Sequence, residues 1–454
     1  MAGGLTPFSR AQQEADFREL CRQAFASALG QLPDLSTDDI DAAVMAYYSD
    51  YFTKQSSAHL AVHDYLGLAP RPCIRVDAAS ASGGAALHTA YLMVQSGYAH
   101  VVVVLGFATL GRVSTNQAID LLSLSSDINF EYPLGVFWSG FFGMVANRQI
   151  HELGWDPKLF DMVSIKNHVN ATYNPYAQRP LELTPEEIHR STLVSTPLRK
   201  LHCSLISEGA VCLVVANEEW AWRLTERPVR IAGIGAASDT LRLADRDHGQ
   251  VPLLQHEDPR QYEKMYEQGL RYPGVHHFRA TRIAAREAYM AAGIHFPVAE
   301  IDFAEITDAY ANLEIATYED LGFCPLGGGP DFLSSGAPMM PGIDYGMRDL
   351  PERGKLPVNP SGGLLACGHP IGVGGLMQAV FALWQLREEL ASRFADLRSE
   401  AQISFTPLQL ERPLRGLVHS MAGTGTMATV TILESPLARE VETVAGEGAG
   451  GFME

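Results

Sequence analysis

The stretch VDAASASGGAALHTAYLMVQSGYAHVVVVLG, Val76–Gly106, decides how the chain is read. The run CIRVDAA that leads into it reads as a strand. From Ser80 to about Ser96 the residues are small and spaced for a helix, and His100–Gly106 is an apolar strand. Strand, small-residue helix and buried strand together argue for a layered α/β fold. Ser80 falls at the start of the helix. A serine there is a helix N-cap, a small polar residue shaping a pocket, or a nucleophile if a base is aimed at it. The turn is not a GxSxG elbow, because Ala78 stands where that motif has its first glycine.

Working outward, the grammar repeats. Ahead of the stretch lie an amphipathic helix, Glu14–Leu32, and a strand near AAVMAYYS; after it, Leu205–Ala221 reads as turn, strand and helix start. The second half offers a helix at His277–Ile294 and a strand and helix in IDFAEITDAYANLEIATYEDLGF. A Gly-rich loop feeding a long helix follows from Asn359, and two strands joined by a Gly-rich turn stand in LRGLVHSMAGTGTMATVTIL. The expected division is a first half over 1–245, a connection over 246–276 with an exposed helix near Pro259–Leu270, and a second half over 277–435. A Gly-rich acidic tail over 436–454 is expected to be disordered. Between about 114 and 200 an Asn-, Tyr- and Pro-rich segment reads as an inserted loop domain.

Composition narrows the function. The 454 residues are 46% apolar and 19% charged, an ordinary globular balance, and the net charge of −18 disfavours nucleic-acid binding. No apolar run reaches the length of a membrane span, and Met1–Arg10 does not read as a signal peptide. The six cysteines show no CxxC pairing and read as reduced thiols of a cytoplasmic protein. No P-loop pattern is present, and no zinc ligand set.

Five stretches carry a resemblance: the opening one, KNHVNATYNPYAQ (Lys166–Gln178), LISEGAVCLVVA, NPSGGLLACGHPIGVGG (Asn359–Gly375) and VHSMAGTG (Val418–Gly425). Over nearly its whole length the chain resembles the thiolase superfamily, most closely the sterol-carrier-type and archaeal-type members. The resemblance implies an α/β fold of two similar halves, each a five-stranded mixed sheet sandwiched by helices, plus the loop domain, and a homodimer at minimum. The chain starts so close to GLTPFSR that most of the usual first strand is expected to be missing.

Where the family carries its nucleophilic cysteine, this chain has Ser80. Where sterol-carrier-type thiolases carry His-Asp-Cys-Phe, it reads Thr307-Asp308-Ala309-Tyr310. Nucleophile, acid/base and one oxyanion donor have changed together, which argues against ordinary Claisen chemistry. His369 and His419 match family catalytic positions. The turn of Gly423 and Gly425 offers backbone N–H groups to an oxyanion. Tyr310 is the candidate base or proton shuttle, and Cys367 a competing nucleophile. Arg199 and Lys200, with Arg179 and Arg190, are candidates for holding CoA phosphates. The resemblance implies C–C bond chemistry beside an acyl-CoA thioester. Retro-aldol cleavage of a bulky β-hydroxyacyl-CoA leads, as in the thiolase-like aldolases of steroid side-chain breakdown. Those aldolases carry a tyrosine-bearing loop where this chain keeps Gly-His-Pro. Acyl transfer through Ser80 and a non-catalytic acyl-CoA-binding subunit are the alternatives. No permanently bound cofactor is expected, coenzyme A entering with the substrate. A small zinc-ribbon and OB-fold partner protein is implied by analogy.

Overall fold

A computed structural model describes residues 2–438 apart from 12–13, 136, 270 and 402–405. Its strands are β1 (Ala2–Leu5), β2 (Ala42–Ala46), β3 (Cys73–Val76), β4 (Val101–Thr109), β5 (Leu193–Ser195), β6 (Leu198–Arg199), β7 (Glu208–Ala216), β8 (Arg230–Ser238), β9 (Phe303–Glu305), β10 (Arg415–Ala422) and β11 (Met427–Glu434). The first sheet runs β1-β7-β4-β2-β3. In it β2 pairs in parallel with β3 and β4, and β7 is antiparallel to β4 and β1. All nine residues of β4 are buried, as a continuous Val-rich run between helix layers should be.

The second sheet runs β8-β11-β10-β9 and has four strands among the described residues, not five. A fifth position is reduced to a single parallel bridge between Ala304 and Val358. Pro357 and Pro360 flank it and lack the N–H a longer ladder needs. The other expectation about strands also needs correcting. Ala2–Leu5 does form an edge strand, in register with Val211–Val214 of β7. Because β8 pairs with β11, the chain has already crossed to the second sheet by Arg230, ahead of the boundary expected at 245.

Five layers result. The helix Phe17–Leu29 covers one face of the first sheet. The helices Ser82–Gln95 and Gly374–Leu386 fill the space between the sheets. The helix Arg279–Ala292 covers the far face of the second. Every residue of Gly374–Leu386 is buried. Each of its larger apolar side chains contributes about 1.5–3 kcal/mol on burial. The two central helices meet at glycines: a Cβ on Gly375 would come within 2.9 Å of the Gly84 nitrogen. The small residues of the opening stretch therefore set the spacing between the two halves.

The segment expected as a loop domain is built from helices: Thr115–Ser123, Trp138–Leu153, Lys158–Thr172 and Pro185–Arg190, with the β5–β6 hairpin. Lys158–Thr172 shows little helical stripe because its residues are buried nearly all round, Lys166, Asn167, His168 and Asn170 included. A helix at Pro259–Glu267 lies in the connecting stretch. Of the tail over 436–454, residues 439–454 lie outside the described residues, and Ala438 is buried.

Candidate active site

A cavity of about 430 Å³ opens between the loop-domain helices and the ends of both central helices. Ser80, Tyr310, His369, Gly423 and Lys200 line it. His419, Gly425, Arg199 and Cys367 do not.

Ser80 stands in a 3-10 turn, Ala79–Ala81, that precedes the helix Ser82–Gln95. Ser82, the first residue of that helix, ties the turn together: its Oγ accepts the Ala78 N–H at 2.8 Å and donates to the Ala79 carbonyl at 2.7 Å. Among the described residues no side chain hydrogen-bonds the Ser80 hydroxyl, so no base is aimed at it. Ala79, just before it, takes a left-handed φ of 49°, an uncommon conformation for alanine.

His369 is half-buried on the cavity wall. Its Nδ1 lies 2.9 Å from Ser204 Oγ, and its backbone N–H donates to Ser207 Oγ at 2.8 Å. Burial pulls its pKa down to about 4, so the ring is neutral near pH 7. The loop that presents it is pinned from three sides. Gln178 and Arg179 donate backbone N–H groups to the Cys367 and Ala366 carbonyls at 2.7 and 3.1 Å. The Arg179 guanidinium donates to the Leu365 and Cys203 carbonyls and to His168 Nε2. The Asp308 carboxylate receives the Leu364 and Leu365 N–H groups. Gly363, at φ +62°, sits against that carboxylate, where a side chain would collide.

Tyr310 is placed by the helix Trp138–Leu153. Its ring stacks on Phe142 at 4.4 Å between centroids, and its hydroxyl lies 3.2 Å from Ser139 Oγ. Burial, with Cys203 nearby, raises its pKa above the ordinary phenol value. A raised pKa keeps the proton on the Tyr310 hydroxyl and favours donation over abstraction.

His419 is fully buried, one layer behind the cavity. Its Nε2 lies 3.0 Å from Thr281 Oγ1 and its Nδ1 accepts the Thr307 N–H at 3.4 Å; Thr307 itself lines the cavity. His419 shares its face of β10 with Met421, which lines the cavity, but sits two residues earlier in the strand, against Thr281 of the helix Arg279–Ala292. Gly425 spends its N–H on the Ala422 carbonyl at 3.1 Å, so the oxyanion expectation is left with Gly423 alone. The Cys367 thiol is fully buried, with burial pushing its pKa well up, which removes it as a nucleophile.

The cationic candidates separate in the same way. Arg179 is committed to internal carbonyls. Arg199 donates to the Ser191 carbonyl away from the cavity, and Arg190 is exposed elsewhere. Lys200 is exposed at the rim, joined by Arg10, which sequence reasoning missed. Also missed were Ser139, Cys203 and Ser204. No spacing marked them; the loop domain folds them against Tyr310 and His369. Among the described residues, the lining contains no carboxylate.

Comparison with known proteins agrees with this architecture. Residues 1–219 match the family model for the thiolase N-terminal domain and residues 270–435 the thiolase C-terminal domain-like model. An acetyl-CoA acetyltransferase of Methanothermobacter thermautotrophicus is 33% identical over 92% of this chain and 94% of its own length. The benzoylsuccinyl-CoA thiolase subunit BbsB of Thauera aromatica is 30% identical over 85% and 88%. Human sterol carrier protein 2 is 27% identical over 86% of this chain and 66% of its own. Among solved structures, the Ltp2-ChsH2(DUF35) aldolase shares the fold, with a TM-score of 0.72 at 22% identity over 97% of both chains. With both thiolase models matched in order, and a relative 33% identical over 92% of the chain, the chain belongs to the thiolase superfamily.

Proposed function

We propose that this protein cleaves the Cα–Cβ bond of a bulky β-hydroxyacyl-CoA by a retro-aldol reaction, without an acyl-enzyme. The observation that carries this reading is a division of protonation states on one cavity wall. His369 is neutral and able to take a proton, Tyr310 keeps its own, and Ser80 lacks the base that would make it a nucleophile.

In this reading His369 Nε2 takes the β-hydroxyl proton. The Cα–Cβ electron pair moves into the thioester as an enolate, and the β-carbon leaves as an aldehyde or ketone. The Tyr310 O–H and the Gly423 turn hydrogen-bond the enolate oxygen. The imidazolium then returns its proton to Cα, giving a shortened acyl-CoA and a neutral ring. Phe137, Trp138, Phe142 and Leu122 on the cavity wall suit a bulky apolar acyl group. Arg10 and Lys200 at the rim suit the CoA phosphates. A homodimer through the exposed edge of β3, where Ile74 is 42% exposed, belongs to the same reading. So does a small zinc-ribbon and OB-fold partner.

The relatives named acetyltransferase favour a second reading, acyl transfer through Ser80. Intact-protein mass spectrometry with a panel of β-keto- and β-hydroxyacyl-CoA esters, products quantified, separates the two. Cleavage of a β-hydroxyacyl-CoA with no mass adduct is the expected result. An acyl adduct on Ser80 establishes the alternative, and no turnover with or without a co-purified partner establishes a binding subunit.

A further inference from the structure

Among the described residues, the one polar side chain bonded to the His369 ring is Ser204. Its Oγ lies 2.9 Å from Nδ1, and both residues line the cavity. Ser204 is itself held: its backbone N–H donates to the Ala309 carbonyl at 2.9 Å, and its neighbour Cys203 bridges to Tyr310. Ile206, two residues on, bridges in parallel to His369. The segment Cys203–Ser207 thus touches both candidate catalytic residues through backbone bonds and fixes Ser204 between them. The other ring nitrogen of His369, Nε2, has no partner among the described residues.

We propose that Ser204 is the positioning residue of His369: its hydroxyl oxygen accepts the Nδ1 proton and fixes the imidazole in the tautomer whose bare Nε2 opens onto the cavity. The inference rests on the retro-aldol reading, in which His369 is the base. A hydroxyl can donate or accept, so the direction of this bond decides what His369 does. If Ser204 donated, Nε2 would carry the proton and the ring would only donate into the cavity. With Nδ1–H on Ser204, Nε2 accepts the β-hydroxyl proton and the ring becomes imidazolium without breaking the Ser204 bond. A neutral hydroxyl in this place, instead of a carboxylate, leaves the charged ring uncompensated, in keeping with its low pKa.

The test uses the full chain with 15N-labelled histidine rings, the His369 signals assigned by their loss in His369→Gln. At pH 7 the ring is expected to carry its proton on Nδ1. Ser204→Ala is expected to give a mixture of tautomers and to lower kcat about 10–100-fold with KM within about twofold. Ser204→Thr, which keeps the hydroxyl, is expected to restore the parent ring spectrum. A proton on Nε2 in the parent, or an unchanged spectrum in Ser204→Ala, overturns the proposal. The ring signals are read without any turnover, so failure of the retro-aldol assay and failure of the Ser204 role are separate results.

Discussion

The Asp308 carboxylate receives the Leu364 N–H at 2.5 Å, and through this bond the strand end after β9 grips the loop that presents His369. The contact continues inward. Asn167 Nδ2 donates to both Asp308 and Glu314, and Glu314 pairs with Lys166 at 2.9 Å, all fully buried. Every contact to Asp308 is a donor, while burial and Glu314 push its pKa up. Asp308→Asn turns an amide donor toward backbone N–H groups. It is expected to cost about 3 kcal/mol, because a buried network then loses an acceptor. Denaturant unfolding at neutral pH measures it, and a change below about 0.5 kcal/mol would show that Asp308 does not hold the loop.

Tyr310→Phe keeps the stack on Phe142 and removes only the hydroxyl. The expected result is a drop in kcat of roughly 10²-fold or more with little change in KM or melting temperature. Steady-state kinetics on a β-hydroxyacyl-CoA decides it; full activity in the variant would remove Tyr310 from the reaction.

Ser80→Ala is expected to leave the cleavage rate within about threefold, since the hydroxyl has no hydrogen-bonding side chain among the described residues. Loss of all turnover in this variant, with an acyl adduct in the parent, would return the chain to covalent thiolase chemistry.

At the rim, Arg10→Glu and Lys200→Glu are each expected to raise KM for CoA esters about 3–10-fold while kcat holds, because exposed charges act on binding and are partly screened. Added salt should weaken the parent's binding and have less effect on the double variant. Salt-independent binding in the parent would place the phosphates elsewhere.

Acid should destabilise the fold. His88, His168, His276, His369 and His419 are held neutral by burial, at pKa values of about 4 or about 3. The unfolded chain takes up protons at these positions near pH 6.5, so their contribution to stability is lost as pH falls from 6.5 toward 4. Glu305 and Glu319, raised to about 7, and Asp320, raised to about 6, act in the opposite direction, favouring the fold as pH drops. The histidines outnumber them, and a lower melting temperature at pH 4.5 than at pH 6.5 is expected. A flat profile would mean that the two sets cancel.

The layered fold and the two-half grammar were legible because they are written in local patterns. The valine run of β4 and the small residues after Ser82 mean the same thing in any context where both faces are buried. The loop domain was not legible as helix. The polar run Lys166–Asn170 looks like a surface loop until Glu314, Asp308 and Asn359 are brought against it, and only burial explains why it shows no stripe. The α-helix begins at Ser82, two residues after the start read at Ser80, because Ala79–Ala81 forms a 3-10 turn.

By itself, the sequence determined that a thiolase-like chain has exchanged its nucleophile and its acid/base group, since those are identities at matched motif positions. Which side chains share a cavity was decided by tertiary structure. His419 and His369 both stand in family motifs, yet one lies buried behind Thr307 and the Gly-rich loop brings the other to the wall. Ser204 and Ser139 carry no motif at all, and they reach His369 and Tyr310 only because segments 165 and 171 residues away in the chain fold onto them. Protonation follows the same rule: a histidine or a tyrosine titrates according to the water that packing excludes, and packing is a property of the assembled layers.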